Sequence, residues 1–398
     1  MPVHTYRELF RVPEFKPLFA AVSVQVAAGT MSGLALATLV FAKTGSPLLS
    51  ALSLFGASFA QVIGALTLLS AADRVPPRAT LTGLALVFAV GIFALAIPGM
   101  PVWAMLLIIL GTGLIGSPGS GVRWGLLSEL LPEDGYVLGR SVMNMSVGVM
   151  QIVGFAVGGA LVAIISPRNA LLMAACLELV AVLVLWFGLS SRPARAEGRP
   201  SVRETWRVDR RLWSDPTRRN VYLALWVPNG LVVGCEALFV PYAGESAGVL
   251  FIAGALGMLT GDAMAGRFLP ARSRTRFITP LRVLLAAPYL LFALLLPVPI
   301  AAVAVAVASI GFGAGLLLQE RLIAATPADM RGQALGLHSS GMLTMQAVGA
   351  TLAGVIAEYL SPGTAMVVMA GLSLVVTVLL TPGLRSPVPR AVSENATV

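Results

Sequence analysis

The sequence predicts an all-α membrane protein with 12 transmembrane helices arranged as two pseudo-symmetric six-helix bundles. Three observations support this: the composition, the recurrence of long apolar runs, and matches between the two halves of the chain. Of the 398 residues, 57% are apolar and 11% are charged, whereas about 25% are charged in soluble domains. Continuous apolar runs such as 81–98 and 301–318 are typical of helices that cross a bilayer, because a transmembrane β-barrel would alternate polar and apolar residues.

Breaks at proline, glycine and charged residues divide the apolar sequence into segments long enough to cross a bilayer as helices. The predicted spans are 17–42, 48–72, 79–97, 102–127, 140–165, 169–190, 219–243, 246–268, 278–296, 299–319, 332–358 and 364–383. One long polar connection follows the sixth span. It defines the predicted domains as an N-terminal bundle (1–190), a cytoplasmic basic linker (191–218) and a C-terminal bundle (219–398).

Within the linker, residues 201–204 have the sequence of a capping box, which predicts the start of a helix. Val202, Trp206 and Trp213 would share one face of that helix and lie on the anionic inner leaflet. A disordered basic linker is the alternative.

The basic residues fix the expected topology. All Lys and Arg residues except Lys43 and Arg168 fall on one side of the predicted membrane, and cytoplasmic loops are the ones enriched in Lys and Arg. We therefore expect both termini to be cytoplasmic and the net charge of +9 to reflect topology, with no nucleic-acid partner. Arginine greatly outnumbers lysine, as in GC-rich bacterial genomes, so the expected location is a bacterial cytoplasmic (inner) membrane.

Short sequence matches recur between the halves at a nearly constant offset. Residues 151–154, Gln-Ile-Val-Gly, correspond to 346–349, Gln-Ala-Val-Gly, and the Ser-Pro pair at 166–167 recurs at 361–362. Such a repeat implies two related helix bundles around a central path, a geometry that allows one site to face either side of the membrane alternately.

The loop after the second span carries a recognisable motif, residues 69–78, Leu-Ser-Ala-Ala-Asp-Arg-Val-Pro-Pro-Arg. Together with the predicted spans and the long basic loop after the sixth, it resembles the major facilitator superfamily. The family signature there is Gly, three residues, Asp-Arg, one residue, Gly and two basic residues. Asp73, Arg74 and Arg78 match it, while Leu69 replaces the first Gly and two prolines replace the second Gly and a basic residue.

The resemblance implies the fold of that superfamily, and segments 10–16 and 127–134 are similar to its drug:proton antiporter branch, which carries out multidrug efflux. In span five, Gly154, Gly158 and Gly159 predict close packing of helices. However, the glycine pair of this span is not the Gly-Pro of the family's antiporter signature.

The resemblance also implies a conformational latch at the inner ends of spans two and eight. In the family, a charged pair closes the inner side and opens as the bundles move. Asp73 with Arg74 and Arg78 would form it in the first half, and Asp262 with Arg267 repeats the spacing of Asp73 and Arg78 in the second. The alternative for both pairs is that the arginines only mark topology.

Ionisable groups inside a bilayer are costly and are therefore candidates for function. Glu236 in span seven is the first choice for proton coupling. Trp226 and Asn229 share its helix face by their spacing, and the resemblance places span seven along the transport path. Glu178 in span six and Asp262 in span eight are further candidates. The alternative is a hydrogen-bonded carboxyl that braces neighbouring helices.

Several other polar side chains in the spans are candidates for substrate contact, although membrane amides usually bridge helices. The predicted cavity residues are Gln25, Arg123, Asn144, Gln151, Trp226, Asn229, His338 and Gln346. Arg123 would compensate a carboxylate or bind an anionic substrate, or else extend to cytoplasmic water.

The sequence lacks the motifs of ATP hydrolysis, zinc binding and hydrolase nucleophiles. We therefore expect no enzymatic activity, no metal and no cofactor, with the proton gradient as energy source. The expected function is proton-coupled export of lipophilic or weakly basic small molecules (a drug or secondary metabolite) by alternating access. The expected partners are the substrate, protons and the lipid bilayer, and the expected state is a monomer. Proton-symport import of a small nutrient and lipid flipping are the alternatives.

Overall fold

A computed structural model describes residues 5–68, 75–131, 133–193, 202–270, 274–327 and 330–385. These residues form helices and their connections, with no β-strand among them. The α-helices are α1 (Tyr6–Leu9), α2 (Phe15–Thr44), α3 (Pro47–Leu68), α4 (Pro77–Leu95), α5 (Val102–Gly116), α6 (Pro118–Leu130), α7 (Glu133–Ile164), α8 (Pro167–Gly188), α9 (Val202–Ser214), α10 (Pro216–Ala237), α11 (Phe239–Ala243), α12 (Ala247–Ala263), α13 (Arg274–Ala286), α14 (Val298–Ile310), α15 (Ala314–Ala324), α16 (Arg331–Tyr359) and α17 (Pro362–Arg385). A π-helical turn, Met264–Phe268, follows α12, and 3₁₀ segments occupy Gly244–Ser246, Ala287–Leu294 and Gly311–Gly313.

Ten helical segments in the described part of the chain are long and apolar enough to cross a membrane. One of them, Pro216–Gly266, spans 51 residues and includes α10, α11 and α12, and Pro47–Ser58 is a shorter apolar helix. The prediction of an all-helical, multi-pass membrane protein is therefore confirmed, and the number of 12 spans stays a prediction.

Many helices start at proline. Its fixed φ suits the first helical turn, and the N–H it lacks would have no partner there. Helices α4, α6, α8 and α10 all begin in this way. Side chains cap two of them: the Ser166 hydroxyl accepts a hydrogen bond from the backbone N–H of Asn169, and the Asp215 carboxylate accepts one from that of Arg218.

The chain divides into two compact units. The first contains residues 1–199 and 240–252, and the second contains residues 200–239 and 253–398. The domain boundaries predicted from sequence, at 190 and 219, stay a prediction.

In the first unit, α2 packs against α3, α7 and α8. Gly154 of α7 lies against the backbone of α2, where an added Cβ would come within 2.7 Å of the Ala27 carbonyl oxygen. A side chain at this position would push the two helices apart. The close packing predicted for this part of span five is therefore present at the α2–α7 crossing.

In the second unit, α10 packs against α16 and α17. Gly349 of α16 lies on the backbone of α10, where a Cβ would overlap the carbonyl group of Gly230. Gly154 and Gly349 end the two four-residue segments that the repeat relates. Each unit thus uses the repeat-related glycine for the same purpose, a close crossing of two long helices.

An ion-pair cluster fixes the end of α8 to the first unit. Arg192 binds the Glu14 carboxylate at 2.8 Å and lies 3.6 Å from that of Glu129, and the Ser190 hydroxyl also donates to Glu14 at 2.8 Å. These residues join the segments before α2, at the end of α6 and after α8. The first residues of the predicted linker are consequently part of the first unit.

Helix α9 packs on the second unit. Leu212 is fully buried, Trp213 stacks on Trp226 with ring centroids 5.6 Å apart, and Gln333 donates a hydrogen bond to Asp209 at 3.1 Å. The segment is therefore an ordered helix. Trp213 stacks on Tyr222 and Trp226 and is 38% exposed, and its position on the inner leaflet stays a prediction. The side chains of Val202 and Trp206 lie outside the described residues.

Gly349→Ala should destabilise the second unit, because the new methyl group requires α10 and α16 to separate. The expected loss is about 1–3 kcal/mol, as for overpacked cores, and would appear as a lower Tm of the purified protein in detergent. The matched control is Gly336→Ala in the same helix, where an added Cβ meets open space. Equal Tm values for the two variants would contradict this packing.

Asp209→Asn should strengthen the docking of α9. Burial raises the pKa of Asp209 above its ordinary value, although the hydrogen bond from Gln333 opposes the shift. A carboxyl with a raised pKa favours the docked state when protonated, and this contribution is lost as the pH rises through the folded-state pKa. Asparagine keeps an acceptor for Gln333 but never ionises. Amide exchange of residues 202–214 should therefore be slower in the variant than in wild type at about pH 8, and nearly equal at about pH 4. Faster exchange in the variant at both pH values would refute this account.

Candidate functional site

A cavity of about 310 Å³ lies within the first unit. Its walls come from α2, α3, α4, α5, α6 and α8, and most of the side chains are apolar, such as Leu36, Phe88 and Ile108. This volume and this character are typical of pockets that bind small molecules.

Three polar side chains meet at this cavity. Glu178 of α8 is only 3% exposed, and its carboxylate accepts a hydrogen bond of 3.4 Å from the side-chain amide of Gln25 in α2. Arg123 of α6 lines the same cavity and interacts electrostatically with Glu178. The Nε atom of Arg123 is enclosed without a hydrogen-bond partner. The sequence predicted each of these residues as a candidate separately, and the structure brings them together.

The break between α5 and α6 positions Arg123. Ser117 and Pro118 interrupt the helical segment there, because proline cannot donate the backbone hydrogen bond that a continuous helix needs. Helix α6 restarts at Pro118 and places Arg123 in its second turn. The side chain therefore reaches the cavity from the end of span four, as the sequence position suggested.

Four predicted cavity residues lie at the α10–α16 interface of the second unit. The indole N–H of Trp226 donates to the backbone carbonyl of His338 at 3.1 Å, and the Gln346 amide donates to Asn229 at 3.3 Å. Trp226 and His338 are both buried. These hydrogen bonds are those expected of residues that bridge helices.

A smaller cavity of about 30 Å³ lies beside Asn229 and also contacts Arg282 of α13. Arg282 is 1% exposed, and none of its three guanidinium nitrogens has a hydrogen-bond partner among the described residues. By its sequence position alone, this arginine belongs with the basic residues of the cytoplasmic side. The signal that could have identified it is its position inside predicted span 278–296, since charged residues within spans are functional candidates.

The other predicted site residues do not line either cavity. Glu236 is partly exposed near the end of α10 and does not line the cavity beside Asn229. Asp262 in α12 is half-buried, Gln151 in α7 is half-buried, and Asn144 in α7 is exposed. The structure brings none of these four to the Gln25–Arg123–Glu178 group.

The predicted latch is described only in part. Asp73 and Arg74 lie outside the described residues, as does the side chain of Arg267. The guanidinium group of Arg78 lies over the ring of Trp186, 4.5 Å from its centroid, which joins α4 to α8 by a cation–π contact. The latch therefore stays a prediction.

The comparisons with known proteins decide the family. Residues 18–319 match the sequence profile of the Major Facilitator Superfamily. The chain belongs to this superfamily. No curated protein sequence matches the chain.

Solved transporter structures have the same fold as this superfamily member. A POT family transporter in complex with a thioalcohol-conjugated peptide has a TM-score of 0.73 at 12% identity, covering 94% of this chain and 96% of that one. The nucleoside transporter NupG has a TM-score of 0.73 at 14% identity, covering 93% and 99%. A bacterial homologue of the human lysosomal transporter Spinster, inward-facing and unoccupied, has a TM-score of 0.64 at 14% identity, covering 94% and 95%.

At these identities the likeness establishes the fold. Membership in the superfamily establishes a membrane transporter, and confirms the prediction that the chain is not an enzyme. The drug:proton antiporter branch stays a prediction.

Arg123→Met should destabilise the first unit, because it leaves the carboxylate of Glu178 without its compensating charge. Adding Glu178→Gln to that variant should recover part of the loss, with a coupling free energy of about 0.5–3 kcal/mol in a double-mutant cycle. Thermal or denaturant unfolding in detergent measures this coupling. The control pairs Arg168→Met with Glu178→Gln, which should be additive, and additivity of the Arg123 pair as well would disprove the interaction.

Proposed function

We propose that the protein is a proton-coupled secondary transporter that exports lipophilic or weakly basic small molecules, such as a drug or secondary metabolite, by alternating access. The observation that carries this proposal is the group of Gln25, Arg123 and Glu178 at an apolar cavity of small-molecule size. The apolar walls suit a lipophilic substrate. The carboxyl group of Glu178 is the one carboxylate among the described residues that line this cavity, and it can bind a proton.

The proton changes the attraction between helices. When Glu178 is ionised, Gln25 of α2 and Arg123 of α6 stabilise its negative charge. When a proton binds, the carboxyl becomes neutral, and the electrostatic attraction between α8 and α6 is lost. A bundle whose helix contacts differ between these two states prefers different conformations in each, which is the requirement for coupling proton movement to alternating access.

Exchange follows if the substrate and the proton use the same cavity. A weakly basic substrate that enters as a cation neutralises the ionised carboxylate, and a lipophilic neutral one fills the apolar volume beside it. Release of the proton on the inner side then accompanies entry of substrate, and the proton gradient is the energy source without a further cofactor. In this scheme Glu178 is the first candidate for the proton-coupling residue, and Glu236 and Asp262 are the second candidates.

The finer architecture belongs to the same proposal. It comprises 12 spans in two six-helix bundles, both termini in the cytoplasm of a bacterium, and a monomer in the cytoplasmic (inner) membrane. The distribution of Lys and Arg along the sequence supports this orientation. The latch at Asp73, Arg74 and Arg78, with Asp262 and Arg267 in the second half, would close the inner side.

Proton symport of a small nutrient is the second candidate. The same buried carboxylate favours it, since a group that binds a proton can couple flow in either direction. Structures with this fold include transporters of a peptide conjugate and of nucleosides. The direction of proton movement during substrate flux separates the two candidates.

Proton flux in reconstituted vesicles tests the proposal. Vesicles with an internal pH dye are exposed to a panel of lipophilic cations and neutral drugs. In the wild type, substrate should drive counterflow of protons. Glu178→Gln should retain binding of the neutral drugs, because the cavity keeps its shape, and should weaken binding of the lipophilic cations, because it removes the carboxylate that neutralises them. With either class of substrate, it should reduce substrate-driven proton flux to the level of protein-free vesicles.

Two further variants act as controls. Glu245→Gln changes an exposed carboxyl outside the cavity and should behave as wild type, and Glu236→Gln tests the alternative coupling residue. Proton movement together with the substrate would favour the importer. Unchanged flux in Glu178→Gln together with its loss in Glu236→Gln would move the coupling role to Glu236.

A further inference from the structure

The second unit contains a buried positive charge that the proposed function does not use. Arg282 is 1% exposed, its three guanidinium nitrogens have no hydrogen-bond partner among the described residues, and no described carboxylate forms an ion pair with it. An arginine stays charged and has five N–H donors. A fully buried charge without a partner is costly, so a compensating group is expected in the functional protein.

Arg282 lines a cavity of about 30 Å³. The other walls of this cavity include Pro228 and Asn229 of α10, Phe312 of the 3₁₀ segment, Leu318 of α15 and Met342 of α16. These walls carry no negative charge. A space of this volume holds about one small group, such as a water molecule or a single anionic group.

Asn229 supplies a second donor at the same cavity. Its side-chain oxygen accepts the hydrogen bond from Gln346, so the amide nitrogen of Asn229 is left to donate. Arg282 and Asn229 thus border one space, with a positive charge and an amide donor beside it. Water can accept these hydrogen bonds but cannot neutralise the charge, whereas an oxyanion does both.

The arginine at the cavity of the first unit, Arg123, has a carboxylate beside it that compensates its charge. There, Arg123 shares its cavity with the carboxylate of Glu178. In the second unit, the chain offers Arg282 no such carboxylate within its described residues. The negative charge must then come from outside the described chain.

We propose that the cavity at Arg282 binds a single carboxylate or phosphate oxyanion, with Arg282 as the charge partner and Asn229 as an additional donor. The anion has two sources of the same chemistry, a soluble organic acid or the headgroup of an anionic lipid. This site lies in the second unit and stands independently of proton coupling at Glu178.

Ligand-dependent thermal stability tests this site. The purified full-length protein is placed in phosphatidylcholine nanodiscs, and its Tm is measured with formate, with inorganic phosphate, and with formamide as the neutral counterpart of formate. An anion that binds only the folded protein raises the Tm once its concentration approaches or exceeds its Kd. Formate or phosphate should raise the wild-type Tm, and formamide should not.

The variants assign the effect to Arg282. Arg282→Met should abolish the shift while folding normally, since it removes a buried charge that has no described partner. Arg282→Lys should retain a weaker shift, because lysine keeps the charge but loses the planar donor geometry. Arg168→Met is the matched control, an arginine with an enclosed Nε atom outside both cavities, and should give the wild-type shift.

A further measurement with an anionic lipid distinguishes a soluble acid from a lipid headgroup as the source of the anion. Nanodiscs that contain phosphatidylglycerol should raise the Tm in an Arg282-dependent manner if the headgroup is the anion, and the soluble acids would then have no additional effect. The proposal is overturned if no anion or anionic lipid stabilises the wild type, or if the shift persists in Arg282→Met. Failure of proton flux in Glu178→Gln tests the other site and does not alter this result.

Discussion

Backbone contact at glycine permits the polar interactions between helices in this protein. Where Gly349 lies on the carbonyl of Gly230, α16 and α10 approach as closely as two helices can. At that separation short side chains such as Asn229 and Gln346 reach each other. In the first unit, the α2–α7 crossing at Gly154 holds α2, which carries Gln25 into the cavity. In both units the helices that carry polar groups are therefore held by contacts that no larger residue could replace.

The two units differ in the groups that lie beside the arginine at their cavity. Arg123 shares its cavity with the carboxylate of Glu178, which also accepts a hydrogen bond from the Gln25 amide. Arg282 borders a cavity whose other described walls are apolar groups and the single amide of Asn229. The repeat gives the units a common helix crossing but does not give them the same charges. A common scaffold therefore carries different side chains at the cavities of the two units.

The sequence predicts helix positions well because the signals are local. Proline at the first turn and long apolar runs place α4, α8 and α10 within a few residues of the predicted spans. The association of Gln25, Arg123 and Glu178 could not be predicted, because periodicity places a residue along its own helix but does not say which helices are neighbours. The stacking of Trp213 on Tyr222 and Trp226 could not be predicted either, because an amphipathic face has the same pattern whether it meets lipid or protein. The burial of Arg282 could not be predicted, because an arginine near the end of a predicted span is normally interpreted as part of the adjacent loop.

Trp213 and Trp226 give α9 an optical property. Their rings are nearly parallel, with an interplanar angle of 11° and a centroid separation of 5.6 Å. Two indoles this close couple their electronic transitions, and the coupling gives a paired positive and negative band in circular dichroism when the two transition moments are not parallel. Trp226 belongs to α10 and Trp213 to α9, so the band exists only while α9 is docked. Circular dichroism can therefore report, without an added label, whether α9 is docked on α10.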